Sequence, residues 1–151
     1  QAAADLDDVA DGSLDLIAAF DVLEHLTHDQ LEDMLALFRR KLRVGGAVLV
    51  RFPNADSPVG LVNQHGDVTH ITHIGSVKAR YFAERGGFAV RYIGPEAQPI
   101  LCGHTAHMIH RLIAVPARAL LDAISNFQFH PGGDKVSMFS KNLVLTMVRT
   151  D

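Results

Sequence analysis

The 151 residues predict an α/β fold built on a parallel sheet. Three features carry that expectation. Two short, nearly continuous apolar runs, Leu14–Ala19 and Ala47–Phe52, read as strands buried on both faces. Between them, Leu31, Met34, Leu35, Phe38 and Leu42 recur at helical spacing and form one apolar stripe. The links joining these segments are short, which is the pattern of a strand–helix–strand unit.

The first strand is introduced by Asp11-Gly12-Ser13. Thr27 stands three residues before Gln30, the spacing of a capping box, and opens the helix. Arg39, Arg40, Lys41 and Arg43 fall in its last turns, favourable for the helix dipole, and Gly45-Gly46 provides the expected stop. The second strand ends at Pro53. Residues 54–75 form a long polar stretch with three histidines, and loops of that length in a compact domain are commonly functional. Ser76 is placed to cap a helix over 77–85, closed by Gly86-Gly87. A strand over 88–93 ends in Gly94-Pro95. Two helices, 104–113 and 117–127, are expected to be separated by a break or kink at Pro116 and to cover the core, with Val115 and Leu121 free to line a dimer interface. A last strand runs over 142–149.

Composition narrows the function classes. With 48% apolar and 21% charged residues the chain is ordinary for one soluble domain. A net charge of −3 carries no basic surplus of the kind nucleic-acid binding requires. Charge is uneven: residues 1–38 hold ten acidic groups and no Lys or Arg. The single cysteine, Cys102, excludes an internal disulfide and fits a reducing cytoplasm. The most apolar stretch, 108–124, is interrupted by Arg111, Pro116, Arg118 and Asp122, so no membrane span is expected.

The run Ser13–Leu26 (SLDLIAAFDVLEHL) is the first of several pieces that become specific together. Leu42-Arg43-Val44-Gly45-Gly46, the strand to Val50, Pro53-Asn54, the helix ending in Gly86-Gly87-Phe88 and the Asn142-Leu143 strand succeed it in order. This series resembles the fourth strand onward of class I S-adenosylmethionine (SAM)-dependent methyltransferases, with Val44 where that family commonly has Pro. The segments Asn54-Ala-Asp-Ser-Pro58 and Gly66-Asp-Val-Thr-His70 look like a subgroup associated with methylation of sugars and glycans.

The resemblance implies a Rossmann-like methyltransferase fold present as its C-terminal half, strands four to seven with flanking helices. Residues 1–54 would form the strand–helix–strand core, 55–75 an acceptor-side loop, and 76–151 the C-terminal helices and strands. The family's Gly-rich cofactor loop has no counterpart, since no Gly-x-Gly occurs in the chain. By the same resemblance SAM is the cofactor, with Asp5, Phe20, Asp21 and Glu24 on its side. Asn54, Asp67 and His73 would face a small-molecule or glycan acceptor. His70 or His25 would take the acceptor's proton, since imidazole is the side chain tuned for that task near neutral pH. Rival expectations are a quinone or other small-molecule methyltransferase, and a non-catalytic scaffold of the same fold.

Nine histidines raise the question of a metal. His104, His107 and His110 spread over about a third of a helix circumference, with no acidic or Cys partner at a known ligand spacing. The sequence therefore predicts no metal site. A strand at 14–19 left without its neighbour offers an apolar edge, and a homodimer through that edge is expected.

Overall fold

The computed structural model describes residues 6, 8–101 and 103–151. Asp5 and Cys102 lie outside the described residues. Strand β1 (Leu14–Phe20) leads through a one-turn 3-10 helix (Leu23–His25) into α1 (His28–Lys41), and β2 (Leu42–Pro53) follows directly. Then come α2 (Leu61–Gly66), α3 (Ser76–Arg85), β3 (Phe88–Pro95), α4 (Thr105–Phe129) and β4 (Asn142–Arg149). The four strands form one sheet in the order β1-β2-β4-β3. β1 and β2 are parallel, as a strand–helix–strand unit requires, while β4 runs antiparallel to both β2 and β3.

One face of the sheet holds the core. Val48, Val50 and Phe52 of β2 alternate inward, as do Leu143, Leu145 and Met147 of β4. Leu31, Leu35 and Phe38 of α1, with Ala79, Phe82 and Ala83 of α3, close over them. The Thr27 capping box forms as its spacing predicts: Gln30 N–H donates to Thr27 Oγ1 at 3.3 Å, and Thr27 N–H donates to Gln30 Oε1 at 3.0 Å.

Five expectations are corrected. β1 is not buried on both faces: Ile17 is buried, but Leu16 and Phe20 are about half exposed, on a strand that stands at the edge of the sheet. Gly45-Gly46 does not stop α1; the helix already ends at Lys41, and Leu42 is extended. Gly45 instead takes φ 77° inside β2, where the β1/β2 register shifts, a conformation that suits glycine at a bulge. Ser76 is not the cap of α3; Gly75 is, and the Ser76 N–H is met by Asp56 Oδ2 at 2.6 Å. The stretch 54–75 contains a short helix, α2.

The largest correction is α4. It runs unbroken through Pro116 and none of its residues is buried, so it is neither two helices nor core cover. A proline forfeits one hydrogen bond and crowds the preceding turn. Here Pro116 is exposed, where a helix can bend and the freed carbonyl can meet water. Asp122 holds α4 to the following loop, accepting from the N–H groups of Met138 (2.7 Å) and Phe139 (3.0 Å).

This distribution makes leucines unequal. Leu31→Ala, at a position 1% exposed, should lower stability by about 2–5 kcal/mol. Leu121→Ala, on the exposed α4, should change it by less than about 0.5 kcal/mol. Urea unfolding of the two variants checks the contrast.

Candidate functional site

The site grows from the carboxyl end of β1. There the chain must turn from an edge strand into α1, and Asp21 does so with φ 55°, a left-handed conformation that aspartate tolerates better than most residues. The Asp21 carboxylate pairs with the Arg51 guanidinium of neighbouring β2. Arg51 also reaches Glu96 at 3.2 Å and lies 5.4 Å above the Phe20 ring. The bond to Asp21 is the main reason the Arg51 guanidinium is held above its ordinary pKa.

Beyond Asp21, the 3-10 turn buries Glu24 at 1% exposure. The loop after β2 is stitched to this turn through the main chain. The Glu24 carbonyl accepts from Ile71 N–H at 2.8 Å and Thr72 N–H at 3.0 Å, while Thr72 Oγ1 donates to Leu26 O at 2.5 Å. These bonds carry His70 in front of Glu24: His70 Nε2 lies 3.9 Å from Glu24 Oε1 and 3.9 Å from Asp67 Oδ2. The rings of His25 and His70 meet edge-on at 4.8 Å.

His25 is oriented by a relay. Its Nδ1–H points at both the Thr69 carbonyl (3.2 Å) and the Thr69 hydroxyl oxygen (2.9 Å). A carbonyl can only accept, so Nδ1 is the ring nitrogen that donates here, and Nε2 is the one left free of Thr69. The Thr69 hydroxyl donates in turn to Asp67 Oδ1 at 2.6 Å, and the Thr69 N–H joins the same oxygen at 2.9 Å. Those two bonds hold the Asp67 carboxyl below the ordinary carboxylate pKa.

Glu24 is the electrostatic exception. Both of its oxygens, like His70 Nδ1, are buried without a hydrogen-bond partner. Burial pushes its carboxyl upward and the neighbouring Asp21 charge adds to the effect, against opposition from its own backbone N–H and the imidazoles of His25 and His70. Folds avoid burying a carboxylate unless something compensates it.

Of the residues singled out from sequence, the structure brings Glu24, His25, Asp67 and His70 together, with Phe20 and Asp21 at their margin. His73 instead stacks edge-on against His65 at 4.9 Å. Asn54 is fully buried, and its side-chain amide donates to Ser137 O (2.6 Å), Ser140 O (3.2 Å) and Ser140 Oγ (3.0 Å), so it fastens one loop to another. Two contributors escaped the sequence reading. Thr69 could have been found from the Asp-x-Thr turn it closes with Asp67. Arg51 was visible only as a lone charge within an apolar strand.

The Glu24 shift fixes a sign. An acid whose folded-state pKa is raised destabilises the fold above that value, and the penalty disappears as pH falls to the unfolded-state pKa. Glu24→Gln should therefore raise the melting temperature at neutral pH, by an amount that shrinks as pH falls into the ordinary carboxylate range. Thermal unfolding followed by circular dichroism across that range checks it.

No protein-family model and no curated protein matches the chain in sequence. Solved structures do match in shape. A SAM-dependent methyltransferase from Archaeoglobus fulgidus superposes with a TM-score of 0.64 at 18% identity, covering 99% of this chain and 65% of its own. A SAM-dependent methyltransferase from Methanosarcina mazei gives 0.57 at 10% identity, with coverages of 99% and 65%. The [4+2]-cyclase SpnF gives 0.51 at 12% identity, covering 94% of this chain and 52% of its own. The chain thus spans between half and two-thirds of the length of these structures. What it shares with them is the Rossmann-like α/β fold of SAM-dependent methyltransferases.

Proposed function

We propose that this chain carries the C-terminal half of a SAM-dependent methyltransferase that methylates an oxygen of a sugar or glycan-type acceptor. The observation that supports the reading most is the cluster itself: a buried carboxylate with no partner and two imidazoles, set at the carboxyl end of β1. In open α/β sheets ligands bind outside the carboxyl ends of the strands. Fold alone does not decide chemistry, as the cyclase shows, so the side chains carry the reading.

The bound cofactor would supply an electrophilic methyl group. The residues present fit one flank of its pocket. The Phe20 ring is half exposed at the end of β1, and Leu16, farther along the same face of the strand, is uncovered. Asp21 would face a sulfonium as half of an ion pair with Arg51, whereas among the described residues no Lys or Arg makes a salt bridge to Glu24. On the acceptor side, His25 presents Nε2 as a base, oriented by Thr69 and Asp67. His70 stands beside it with Glu24 behind, so either imidazole can take a hydroxyl proton. Alignment of acceptor and base contributes more here than any large pKa shift. The support for a sugar-type acceptor is the sequence resemblance of the Asn54–Pro58 and Gly66–His70 segments, and the acidic Asp67 suits hydroxyl donors.

Among the described residues no helix is long and apolar enough to cross a membrane; a cytoplasmic setting belongs to the same proposal. A second reading, a scaffold of this fold without chemistry, is favoured by the exposed apolar residues of α4.

Calorimetric titration of SAM into the chain decides between them. The enzyme reading expects binding that Phe20→Ala weakens about tenfold, roughly 1.4 kcal/mol from lost aromatic contact. No binding, or binding indifferent to Phe20, sinks it and leaves the scaffold. The open edge of β1 further supports a homodimer. Size-exclusion light scattering should give twice the chain mass, and a clean monomer would refute the dimer.

A further inference from the structure

We infer that Glu24, His25 and His70 form a binding site for a divalent first-row transition cation, with zinc the best-fitting probe. One ligand atom from each of the three can be chosen so that all lie within 4.8 Å of one another. Donor atoms about 2.0–2.2 Å from a shared zinc ion stand roughly 3.5 Å apart, so small side-chain rotations close the set. Two imidazole nitrogens and one carboxylate are a donor set suited to zinc and its first-row neighbours. Magnesium and calcium prefer oxygen ligands throughout.

Two observations independent of the clustering point to a ligand. The first is the Glu24 carboxylate, 1% exposed with both oxygens unpartnered. A buried anion of that kind is compensated by a cation or it protonates. Among the described residues no Lys or Arg makes a salt bridge to Glu24, and its one ion contact is His70 at 3.9 Å. The second is the outer arrangement of His25. Its Nδ1–H is committed to Thr69 O and Oγ1, which leaves Nε2 as the coordinating atom. Metal-bound histidines are characteristically fixed this way, with the second nitrogen donating to a carbonyl or a carboxylate relay. The Asp67 carboxylate, 3.9 Å from His70 Nε2 and half exposed, stands where it could add a fourth ligand or orient a bound water.

The ion's use in catalysis rests on the reading proposed above; its binding does not. With the cation in place, neither imidazole is a free base. The ion itself would then take over the task assigned above to the imidazoles: it would lower the pKa of a bound acceptor hydroxyl, as bound metals do for water, and the released proton would pass to solvent water. The set is not marked in the amino-acid sequence, which predicts no metal site. Its ligands come from two segments far apart in the chain, and no contiguous motif joins them.

The test is calorimetric titration of Zn²⁺ into the chelator-treated chain, with Mg²⁺ as comparator and circular dichroism to verify folding of each variant. One Zn²⁺ per chain is expected to bind, to raise the melting temperature, and to do so far more tightly than Mg²⁺. Glu24→Gln and, separately, His70→Asn should each weaken Zn²⁺ more than about 100-fold, beyond the loss of an outer partner. His107→Ala, on exposed α4, should leave it unchanged. Absence of a one-to-one event, equal affinity in Glu24→Gln, or loss of binding in His107→Ala would overturn the site. SAM titrated into the same zinc-free chain reports on the methyltransferase reading separately, since either ligand can bind while the other fails.

Discussion

The site depends on a clasp of main-chain hydrogen bonds in which the Glu24 carbonyl accepts from both Ile71 and Thr72. One carbonyl has two lone pairs, and here both are engaged by the same incoming strand of loop. The clasp ties the end of β1 to a segment that leaves the sheet at Pro53 and returns to it only at β3. Without it His70 would be a surface loop histidine. With it, His70 is held against a buried carboxylate while Thr69 orients His25.

The far side of the loop is secured by different chemistry. Asn54 buries its amide among Ser137 and Ser140, Ser57 Oγ donates to Met138 O at 2.6 Å, and the Asn54 N–H donates to Lys141 O at 2.9 Å. Asp56 meanwhile meets the start of α3. The loop from 54 to 75 is therefore irregular in outline yet fastened at both ends and in the middle. Irregular segments tied to a rigid sheet in this way are where sites are commonly built.

Much of the frame was legible in the sequence because local rules dominated there. The Thr27 box, the α1 stripe and the strand over 142–149 each depend on neighbours within a few residues. What escaped depended on the rest of the molecule. The one-sided burial of β1 comes from its place at the sheet edge, which no local pattern reveals. Pro116 was read by its cost alone, and an exposed helix absorbs that cost. At the site, the histidines and Glu24 were recognisable as chemistry, but their convergence, and the diversion of Asn54 and His73 to other partners, required the loop's path. Glu24 shows the difference most clearly: from sequence it is one acid in an acidic stretch, and among the described residues it is the acid buried with both oxygens unpartnered.

The uncovered surface of α4 has a colloidal consequence. Ile109, Leu112, Ile113, Leu120, Ile124 and Phe127 are all more than half exposed on one long helix, on a chain whose formal net charge is only −3. Apolar surface attracts at short range, while so small a charge offers little long-range repulsion to keep copies apart. In dilute buffer the chain should therefore behave as an adhesive particle. Added salt screens what repulsion exists, and handling at low concentration and low ionic strength becomes a property dictated by this helix rather than a matter of laboratory habit.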